Sequence, residues 1–173
     1  MLNFNIKDAN TLKDIKIIVP NVSIDKRGKI WTSFLESEIE KLLPLNTYFK
    51  HDKFSHSKKN VLRGIHGDNK TWKLITCVYG AMQQVVVDCK QNSDTYRLYE
   101  SFEINDKNPM SILIPPQYGN AFYVKSKLVV YHYKLAYDGN YLDADKQFSY
   151  KWNNPNFNIK WPTKNPILSI RDK

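Results

Sequence analysis

Apolar and polar side chains alternate in several short runs of this chain, which is the pattern of β-strands with one buried face. The clearest run spans residues 128–135. One face of this run would carry Val129, Tyr131, Tyr133 and Leu135, and the other face Leu128, Val130, His132 and Lys134. The alternation therefore predicts a long strand that points two tyrosines to the same side.

Other β-rich runs are shorter and are separated by turn residues. Lys73–Val78 and Met82–Val87 flank the segment Tyr79–Ala81, and this arrangement predicts a hairpin. Ser111–Ile114 is a further short strand that ends at a pair of prolines. Turn signals recur at residues 25–28, 92–94, 105–109 and 138–140. Many short strands with turns about every 8–12 residues predict an all-β sandwich or barrel.

Helix is favoured in one place, over residues 37–43. Ser37 and Glu40 have the spacing of a capping box, and Pro44 would end the helix. The tail, residues 152–173, contains three prolines and is expected to wrap irregularly over the barrel. Since no repeat or linker interrupts the chain, residues 1–173 are predicted to form a single domain.

Composition narrows the class of protein only moderately. Hydrophobic residues make up 42% of the 173 residues, an ordinary fraction for a globular protein, and no apolar run is long enough to span a bilayer. The first residues, Met1–Asn5, lack the pattern of a signal peptide. Cys77 and Cys89 each lie in an apolar run, which favours buried free thiols over a disulfide. These features predict a cytoplasmic protein without a membrane partner.

Charge and short motifs exclude several classes of chemistry. The net charge is +9, from 26 Lys and Arg against 17 Asp and Glu, but the lysines are scattered, so the charge indicates a basic solvated surface and little more. The four histidines, His51, His56, His66 and His132, lack the spacing of a metal site. The chain has no P-loop, dinucleotide-binding or nucleophile-elbow motif. No metal and no cofactor are therefore predicted.

The segment Val61–Asp68 combines the residues best suited to chemistry. On a regular strand, Arg63 and His66 would lie on opposite faces. The planar fork of an arginine suits phosphate, and Arg27, in the turn at 25–28, offers a second one. Lys73, on the next strand, would place an ammonium in the same cavity. Taken singly, each of these residues is more often a surface charge or a satisfied core residue, so the inference depends on their combination.

Further landmarks extend along the chain. They are, in order, Asp25–Gly28, Ser55–His66, Lys73-Leu74, Gly80, Val87-Asp88, Ser93–Tyr96, Ile114-Pro115, Tyr133-Lys134, Trp152–Pro155, Trp161-Pro162 and Ile167–Asp172. With them the chain resembles the dTDP-4-dehydrorhamnose 3,5-epimerase family over nearly its whole length. The R-G-I-H element and the W-P…L-S-x-x-D tail are specific in combination. The resemblance implies an all-β, cupin-type double-stranded β-helix, which is a jelly-roll barrel.

The resemblance also implies a reaction, in which C3, or C3 and C5, of a nucleotide-linked 4-keto sugar is inverted. A C–H beside a ketone is acidic because the enolate places its charge on the carbonyl oxygen. By similarity His66 is the base, Tyr133 delivers a proton to the opposite face, and Lys73 stabilises the oxyanion. Arg27 and Arg63 would hold the diphosphate and so align the sugar. The family further implies a homodimer that exchanges edge strands.

Several positions depart from the family pattern and suggest a specialised substrate. Asn154 stands where the family has an acid that orients the histidine, and Asn120 stands where a histidine is common. His51 and Ser55 belong to a changed segment before the R-G-I-H element, and Asp68 belongs to one after it. All five residues are predicted to bind the substrate.

The substrate prediction rests on Gly119–Ala121 together with Arg63–Asp68. This combination is similar to a branch of the family that acts on GDP-linked 4-keto-heptoses for capsular polysaccharide. A GDP-sugar is therefore predicted in preference to a dTDP-sugar. Tyr131 shares a face with Tyr133 and is predicted to contact the substrate. It is a second candidate for the acid, although a tyrosine at such a position is more often an ordinary core residue.

Two other functions stay open at this point. A 3,4-ketoisomerase on the same barrel would also use a histidine base, but it would move the keto group. A non-catalytic module for a sugar nucleotide or for single-stranded nucleic acid would fit the basic charge and the 13% aromatic content. The joint presence of His66, Lys73 and Tyr133 favours the enzyme, and no nucleic-acid partner is predicted.

Overall fold

The computed structural model describes residues 4–173, and in this part of the chain strands dominate. The strands are β1 Phe4–Asp8, β2 Lys16–Pro20, β3 Val22–Asp25, β4 Gly28–Trp31, β5 Tyr48–Lys58, β6 Leu62–Gly67, β7 Trp72–Tyr79, β8 Ala81–Asp88, β9 Tyr99–Asn105, β10 Ser111–Ile114, β11 Tyr118–Val124, β12 Leu128–Tyr137 and β13 Phe148–Ser149. The helical segments are α1 Glu36–Ile39 and the 3-10 turns Glu40–Leu42, Ala144–Lys146 and Ile170–Asp172.

Two antiparallel sheets pack face to face around the main core. The six-stranded sheet has the order β1-β2-β10-β7-β12-β5, and the five-stranded sheet has the order β13-β6-β11-β8-β9. The core draws on both inner faces, with Ile75 and Val129 from the first sheet and Val86 and Phe122 from the second. β3 and β4 form a separate hairpin. The predicted fold class, an all-β jelly-roll barrel with one short helix, is confirmed.

The long strand predicted over residues 128–135 is β12. Val129, Tyr131 and Leu135 are buried on its inner face, as the alternation required. Tyr133, on the same face, borders a cavity. Because β12 pairs with both β5 and β7, its inner face is held by a neighbour on each side.

The hairpin predicted around residues 79–81 is wrong. β7 and β8 are separated only by Gly80, yet they lie in different sheets. The backbone turns a corner at Gly80, where φ is +91° and a Cβ atom would collide with the carbonyl oxygen of Leu128. Glycine tolerates both conditions because it has no side chain. The corner therefore carries the chain from one sheet to the other.

β6 also departs from the regular alternation that the sequence suggested. Its register against β11 shifts between the pairs His66–Asn120 and Arg63–Phe122, so two residues of β6 face one of β11. This is a β-bulge, which changes the direction in which the following side chains point. Gly64 makes it possible with a φ of +122°, in a place where a Cβ would collide with the β11 backbone. As a result Arg63 and His66 border the same cavity instead of opposite faces.

The short helix is present, but its predicted capping box is wrong. The helix begins with Glu36 after Leu35, and no side chain caps it. Ser37 lies within the first turn. The Glu40 carboxylate instead accepts a hydrogen bond from the backbone N–H of Phe49 at 3.1 Å. Glu40 therefore ties the helix to the beginning of β5.

The C-terminal tail wraps irregularly around the barrel, as predicted. The backbone N–H of Leu62 donates to the carbonyl of Ile167, and the N–H of Ile167 donates to the carbonyl of Asn60. Phe157 packs into a second core cluster with Ile65. These contacts lead the last turn of the chain back to β6.

The two cysteines and the lengths of the helices bear on the predictions made from composition. Cys77 and Cys89 are both free thiols, but only Cys77 is buried as predicted, whereas Cys89 is half-buried. Burial raises the pKa of each thiol to about 12. Both thiols are therefore protonated and unreactive at neutral pH. Within residues 4–173, no helix has the length and apolar character needed to cross a membrane.

Candidate active site

A cavity of about 270 Å³ lies between the two sheets. β5, β6, β7, β11 and β12 contribute to its wall, and the segment 141–147 and the end of the tail border it. Seven of the predicted site residues line it, namely Ser55, Arg63, His66, Lys73, Asn120, Tyr131 and Tyr133. The fold therefore brings all three predicted catalytic residues to one cavity.

His66 is paired with a carboxylate from the far end of the chain. Its Nε2 lies 2.7 Å from Oδ1 of Asp172, whose side chain is only 2% exposed. Asp172 also accepts hydrogen bonds from the Ser169 hydroxyl at 2.6 Å and from the backbone N–H of Gly64 at 3.4 Å. Burial alone would raise the pKa of Asp172, but the hydrogen bonds from His66 and Ser169 outweigh it and lower that pKa. Asp172 is therefore ionised and fixes the orientation of the imidazole.

The prediction that Asn154 occupies the place of the orienting acid is wrong. Asn154 lies in the tail, beside Trp152 and Trp161 in a surface groove, and its side-chain oxygen accepts a hydrogen bond from the backbone N–H of Asn156. It does not line the cavity. The acid that orients the histidine is Asp172, which the sequence comparison had included only as the last residue of the tail landmark.

Tyr133 borders the cavity from β12 and is surrounded by charged groups. Burial raises the pKa of its phenol, and the positive charges of Lys53 and Arg63 only partly oppose this effect. The phenol is therefore protonated at neutral pH and can act as a proton donor. The nearby cations would stabilise the phenolate that forms when the proton leaves.

Tyr131 is placed differently, although it lies on the same face of β12. Its side chain is 1% exposed and stacks on Phe122 with ring centroids 4.3 Å apart. The Nδ2 of Asn120 donates to its hydroxyl at 3.1 Å, and Gln84 in turn donates to the Asn120 carbonyl oxygen at 2.6 Å. Burial raises the pKa of Tyr131 strongly. This tyrosine is held in a hydrogen-bonded wall, which makes it the weaker candidate for the acid.

Lys73 reaches the cavity from the beginning of β7. It is 7% exposed, and its Nζ lies 3.4 Å from the backbone carbonyl oxygen of His66. Burial lowers the pKa of Lys73 to about 8, an effect that the negative charge of Asp68 opposes and the positive charge of Arg171 strengthens. At pH 7 the side chain is mainly an ammonium in a poorly hydrated site, where its charge acts strongly on a developing oxyanion.

The cavity contains charged residues that the sequence analysis did not select. Lys53 donates to the hydroxyl of Tyr141 at 3.0 Å and lies 3.7 Å from Asp143. Arg171 donates to the side-chain oxygen of Gln147 at 3.3 Å. The segment 141–147 lies between the landmarks Tyr133-Lys134 and Trp152–Pro155 and contains none of the landmarks on which the sequence analysis relied.

Arg27 and His51 do not line the cavity. Arg27 lies on the β3–β4 hairpin, with its side chain 83% exposed and paired with Asp25. His51, on β5, lies 3.0 Å from the hydroxyl of Tyr137 and contacts the edge of the Tyr141 ring. Burial lowers the pKa of His51. His51 is therefore one layer behind the cavity wall, and within this chain Arg27 is outside the site.

Asp68 is also outside the cavity, and its prediction as a substrate-binding residue is wrong. The side chain is 3% exposed. Its Oδ1 accepts hydrogen bonds from the backbone N–H groups of Lys70 at 3.0 Å and Thr71 at 2.6 Å. Asp68 thus closes the turn between β6 and β7, the two strands that carry His66 and Lys73.

The fold and the groups in its cavity define the class of protein, which is a cupin-type isomerase. The sequence profile of the dTDP-4-dehydrorhamnose 3,5-epimerase family matches residues 9–173, so the chain belongs to this family. The dTDP-4-dehydrorhamnose 3,5-epimerase of Salmonella typhimurium is 32% identical over 165 residues, which cover 93% of this chain and 88% of the relative.

Solved structures agree with this assignment. A dTDP-6-deoxy-D-glucose-3,5-epimerase from Legionella pneumophila, in complex with dTDP-4-keto-L-rhamnose, superposes with a TM-score of 0.89 at 31% identity and covers 98% of this chain and 90% of its own. NovW, a 4-keto-6-deoxy sugar epimerase from Streptomyces spheroides, superposes with a TM-score of 0.87 at 26% identity, and the match covers 98% of this chain and 85% of NovW.

Proposed function

We propose that this enzyme inverts C3, or both C3 and C5, of a nucleotide-linked 4-keto sugar. The observation that carries the proposal is the His66–Asp172 pair in the same cavity as the phenol of Tyr133 and the ammonium of Lys73. An ionised carboxylate holds the imidazole, stabilises its protonated form and leaves the other ring nitrogen to accept a proton.

The proposed reaction is a pair of proton transfers. His66 removes the proton from the carbon beside the ketone, and the electron pair of that C–H bond moves to the carbonyl oxygen to give an enolate. The ammonium of Lys73 stabilises the enolate oxygen. Tyr133 then donates its phenolic proton to the opposite face of the carbon, and the enolate collapses to the ketone. Solvent removes the proton from His66 and returns one to Tyr133, so no electrons are gained or lost.

Substrate binding would use the positive charge and the free polar groups of the cavity. Arg63, Lys53 and Arg171 line it together, and arginine forks suit the oxygens of a diphosphate. The Ser55 hydroxyl is buried without a hydrogen-bond partner in residues 4–173, so it is free to bind a sugar hydroxyl. A charged diphosphate held at a distance from the reacting carbon would align that carbon with His66.

The nucleotide and the sugar are the finer part of the proposal. Two of the relatives named above, those from Salmonella typhimurium and Legionella pneumophila, carry dTDP-sugars in their names or complexes, and this favours a dTDP-4-keto sugar as the first substrate to test. GDP-4-keto-heptose, predicted from Gly119–Ala121 together with Arg63–Asp68, has no support among these relatives. Its support within the cavity is limited to Asn120, which stands where a histidine is common.

The function is tested by proton exchange in deuterated water. Purified enzyme is incubated with dTDP-4-keto-6-deoxyglucose and, separately, with a GDP-4-keto-heptose, and NMR follows C3 and C5. Deuterium at C3 is expected with at least one substrate, and the nucleotide that supports exchange identifies the preference. A carbonyl that moves to C3 would establish a 3,4-ketoisomerase instead. Absence of exchange on both sugars, in protein that binds them, would contradict catalysis and support a binding module.

A comparison of the two tyrosines tests the choice of acid. Tyr133→Phe is expected to reduce inversion at C3 by about 10²- to 10⁴-fold, because it removes the proton donor without changing the shape of the wall. Tyr131→Phe, the matched control on the same strand, should reduce it by tenfold at most, because it removes only a hydrogen bond to Asn120. Turnover measured by NMR decides between them, and the opposite order would assign the acid to Tyr131.

We further propose that the enzyme is a homodimer. Ile24 and Ile30 on the β3–β4 hairpin are 76% and 74% exposed, and within residues 4–173 β5 pairs with a strand on one side only. Apolar surface and a strand edge are therefore both free to pair. In such a dimer, Arg27 would bind the diphosphate in the cavity of the partner. Analytical ultracentrifugation tests this directly, and a monomer at micromolar concentration would refute it.

A further inference from the structure

Asp68 and Asp88 are both buried and both close a turn, but their carboxylates differ in one respect. Asp88 is fully satisfied, since its Oδ1 accepts from the N–H of Lys90 and its Oδ2 from the hydroxyls of Ser93 and Thr95. Asp68 uses only Oδ1, and its Oδ2 is buried with no hydrogen-bond partner in residues 4–173. A turn needs only the first oxygen. The second oxygen of Asp68 is therefore not explained by the turn.

A buried cation lies across the same turn: Lys73 is 7% exposed, and its Nζ lies 3.4 Å from the backbone carbonyl oxygen of His66, two residues before Asp68. Burial has the largest effect on the pKa of Lys73 and lowers it. Among the neighbouring groups, the negative charge of Asp68 opposes this lowering most strongly. The positive charge of Arg171, in the segment Ile170–Asp172, lowers the pKa of Lys73 further, and the half-buried thiol of Cys89 carries no charge at neutral pH. His66 faces Lys73 through its backbone carbonyl. The carboxylate of Asp68 is thus the main anion that favours a charged Lys73.

We propose that Asp68 is a positioning residue that keeps Lys73 protonated and holds it beside His66. One oxygen of its carboxylate fixes the four-residue turn that sets the distance between the ends of β6 and β7. The other oxygen supplies a buried negative charge that no hydrogen bond neutralises. Both effects act on Lys73 from behind the cavity wall, and Asp68 itself does not touch the substrate.

This role of Asp68 has a consequence for the reaction rate at alkaline pH, and that consequence rests on the proposed function. An oxyanion is stabilised by the ammonium form of Lys73 and not by the neutral amine. Because the pKa of Lys73 is about 8, the rate should fall as the pH rises through this value. Without the charge of Asp68 the ammonium would lose its proton at a lower pH, and the fall should begin earlier.

The decisive variant is Asp68→Asn, in which the amide oxygen can still accept both turn hydrogen bonds while the charge is lost. The pKa of Lys73 is measured without substrate, by NMR of lysine labelled with ¹³C at Cε, and the Lys73→Arg protein identifies the signal. We expect this pKa to fall by about one pH unit in Asp68→Asn. In the exchange assay, the alkaline limb of kcat should move to lower pH by the same amount.

Asp106→Asn is the matched control. Asp106 also closes a turn, through the backbone N–H of Gly80 at 3.1 Å, but it is not among the charges that act on Lys73. Its removal should leave the titration of Lys73 unchanged. If Asp68→Asn is unstable, Asp68→Ser offers a second neutral side chain that can accept the turn hydrogen bonds.

The outcomes separate this inference from the proposed function. An unchanged Lys73 titration in a folded Asp68→Asn or Asp68→Ser protein would overturn the role of Asp68, whatever the enzyme catalyses. If neither neutral variant folds, the carboxylate serves folding and the proposal is wrong. A shifted titration together with wild-type protein that exchanges no sugar proton would support the effect on Lys73 and reject the proposed reaction.

Discussion

Replacement of His66 by asparagine is expected to reduce deuterium incorporation at C3 by about 10²- to 10⁴-fold, because the variant has no group that can accept the proton at neutral pH. Binding of the nucleotide sugar should change little, since the diphosphate is assigned to arginines and lysines elsewhere in the cavity. The measurement is exchange by NMR, combined with calorimetric titration of the nucleotide sugar.

His132→Asn is the matched control for this experiment. His132 lies on the outer face of β12, where its ring stacks on Phe54 at 4.5 Å and its Nε2 lies 3.3 Å from Asp52. The same chemical change there should leave exchange at the wild-type rate. Retention of exchange in His66→Asn, under conditions in which His132→Asn is also active, would show that another residue is the base.

The second large loss of catalytic rate is expected for Asp172→Asn. The amide oxygen can still accept from the backbone N–H of Gly64, and the amide nitrogen can donate to the Ser169 hydroxyl, so the tail should stay in place. The imidazolium formed during proton removal would lose the carboxylate that stabilises it, and the preferred orientation of the ring would change. Loss of such a carboxylate from a histidine base costs on the order of 10⁴-fold in the serine-protease triad, and we expect about 10²- to 10⁴-fold in kcat here.

Ser169→Ala separates this electrostatic effect from simple loosening of the tail. It removes the hydroxyl that donates to Asp172 at 2.6 Å and leaves the ion pair intact. The expected loss in kcat is about tenfold. Equal losses in the two variants would mean that the position of the tail, and not the charge of Asp172, controls the base.

Strand patterns explain why part of the site could be predicted. The alternation over residues 128–135 placed Tyr131 and Tyr133 on one face, and both line the cavity. Side chains on a strand point to a given face with a period of two, so the sequence alone contains this information. What the alternation does not contain is the difference between the two phenols. That difference depends on Phe122 and Asn120, which come from β11.

Irregular backbone explains two of the wrong predictions, those for β6 and for the hairpin. The bulge at Gly64 brings Arg63 and His66 to one face against the regular alternation, and the corner at Gly80 sends β7 and β8 into different sheets. Both depend on close approach of a glycine to a neighbouring strand or loop. Such an approach cannot be read from the residues around the glycine, because the neighbour is distant in sequence.

The sequence by itself determined the all-β class and the inner face of β12. Through a resemblance over nearly the whole chain it also predicted a base, an acid and a cation, which the fold brings to one cavity. Only the tertiary structure decided that Asp172 orients His66, that Asn154 and Arg27 lie away from the cavity of their own chain, and that Asp68 is buried behind Lys73. The physical reason is that strand periodicity is local, whereas an ion pair such as that between His66 and Asp172 joins residues more than one hundred positions apart. Only packing of the whole barrel brings them together.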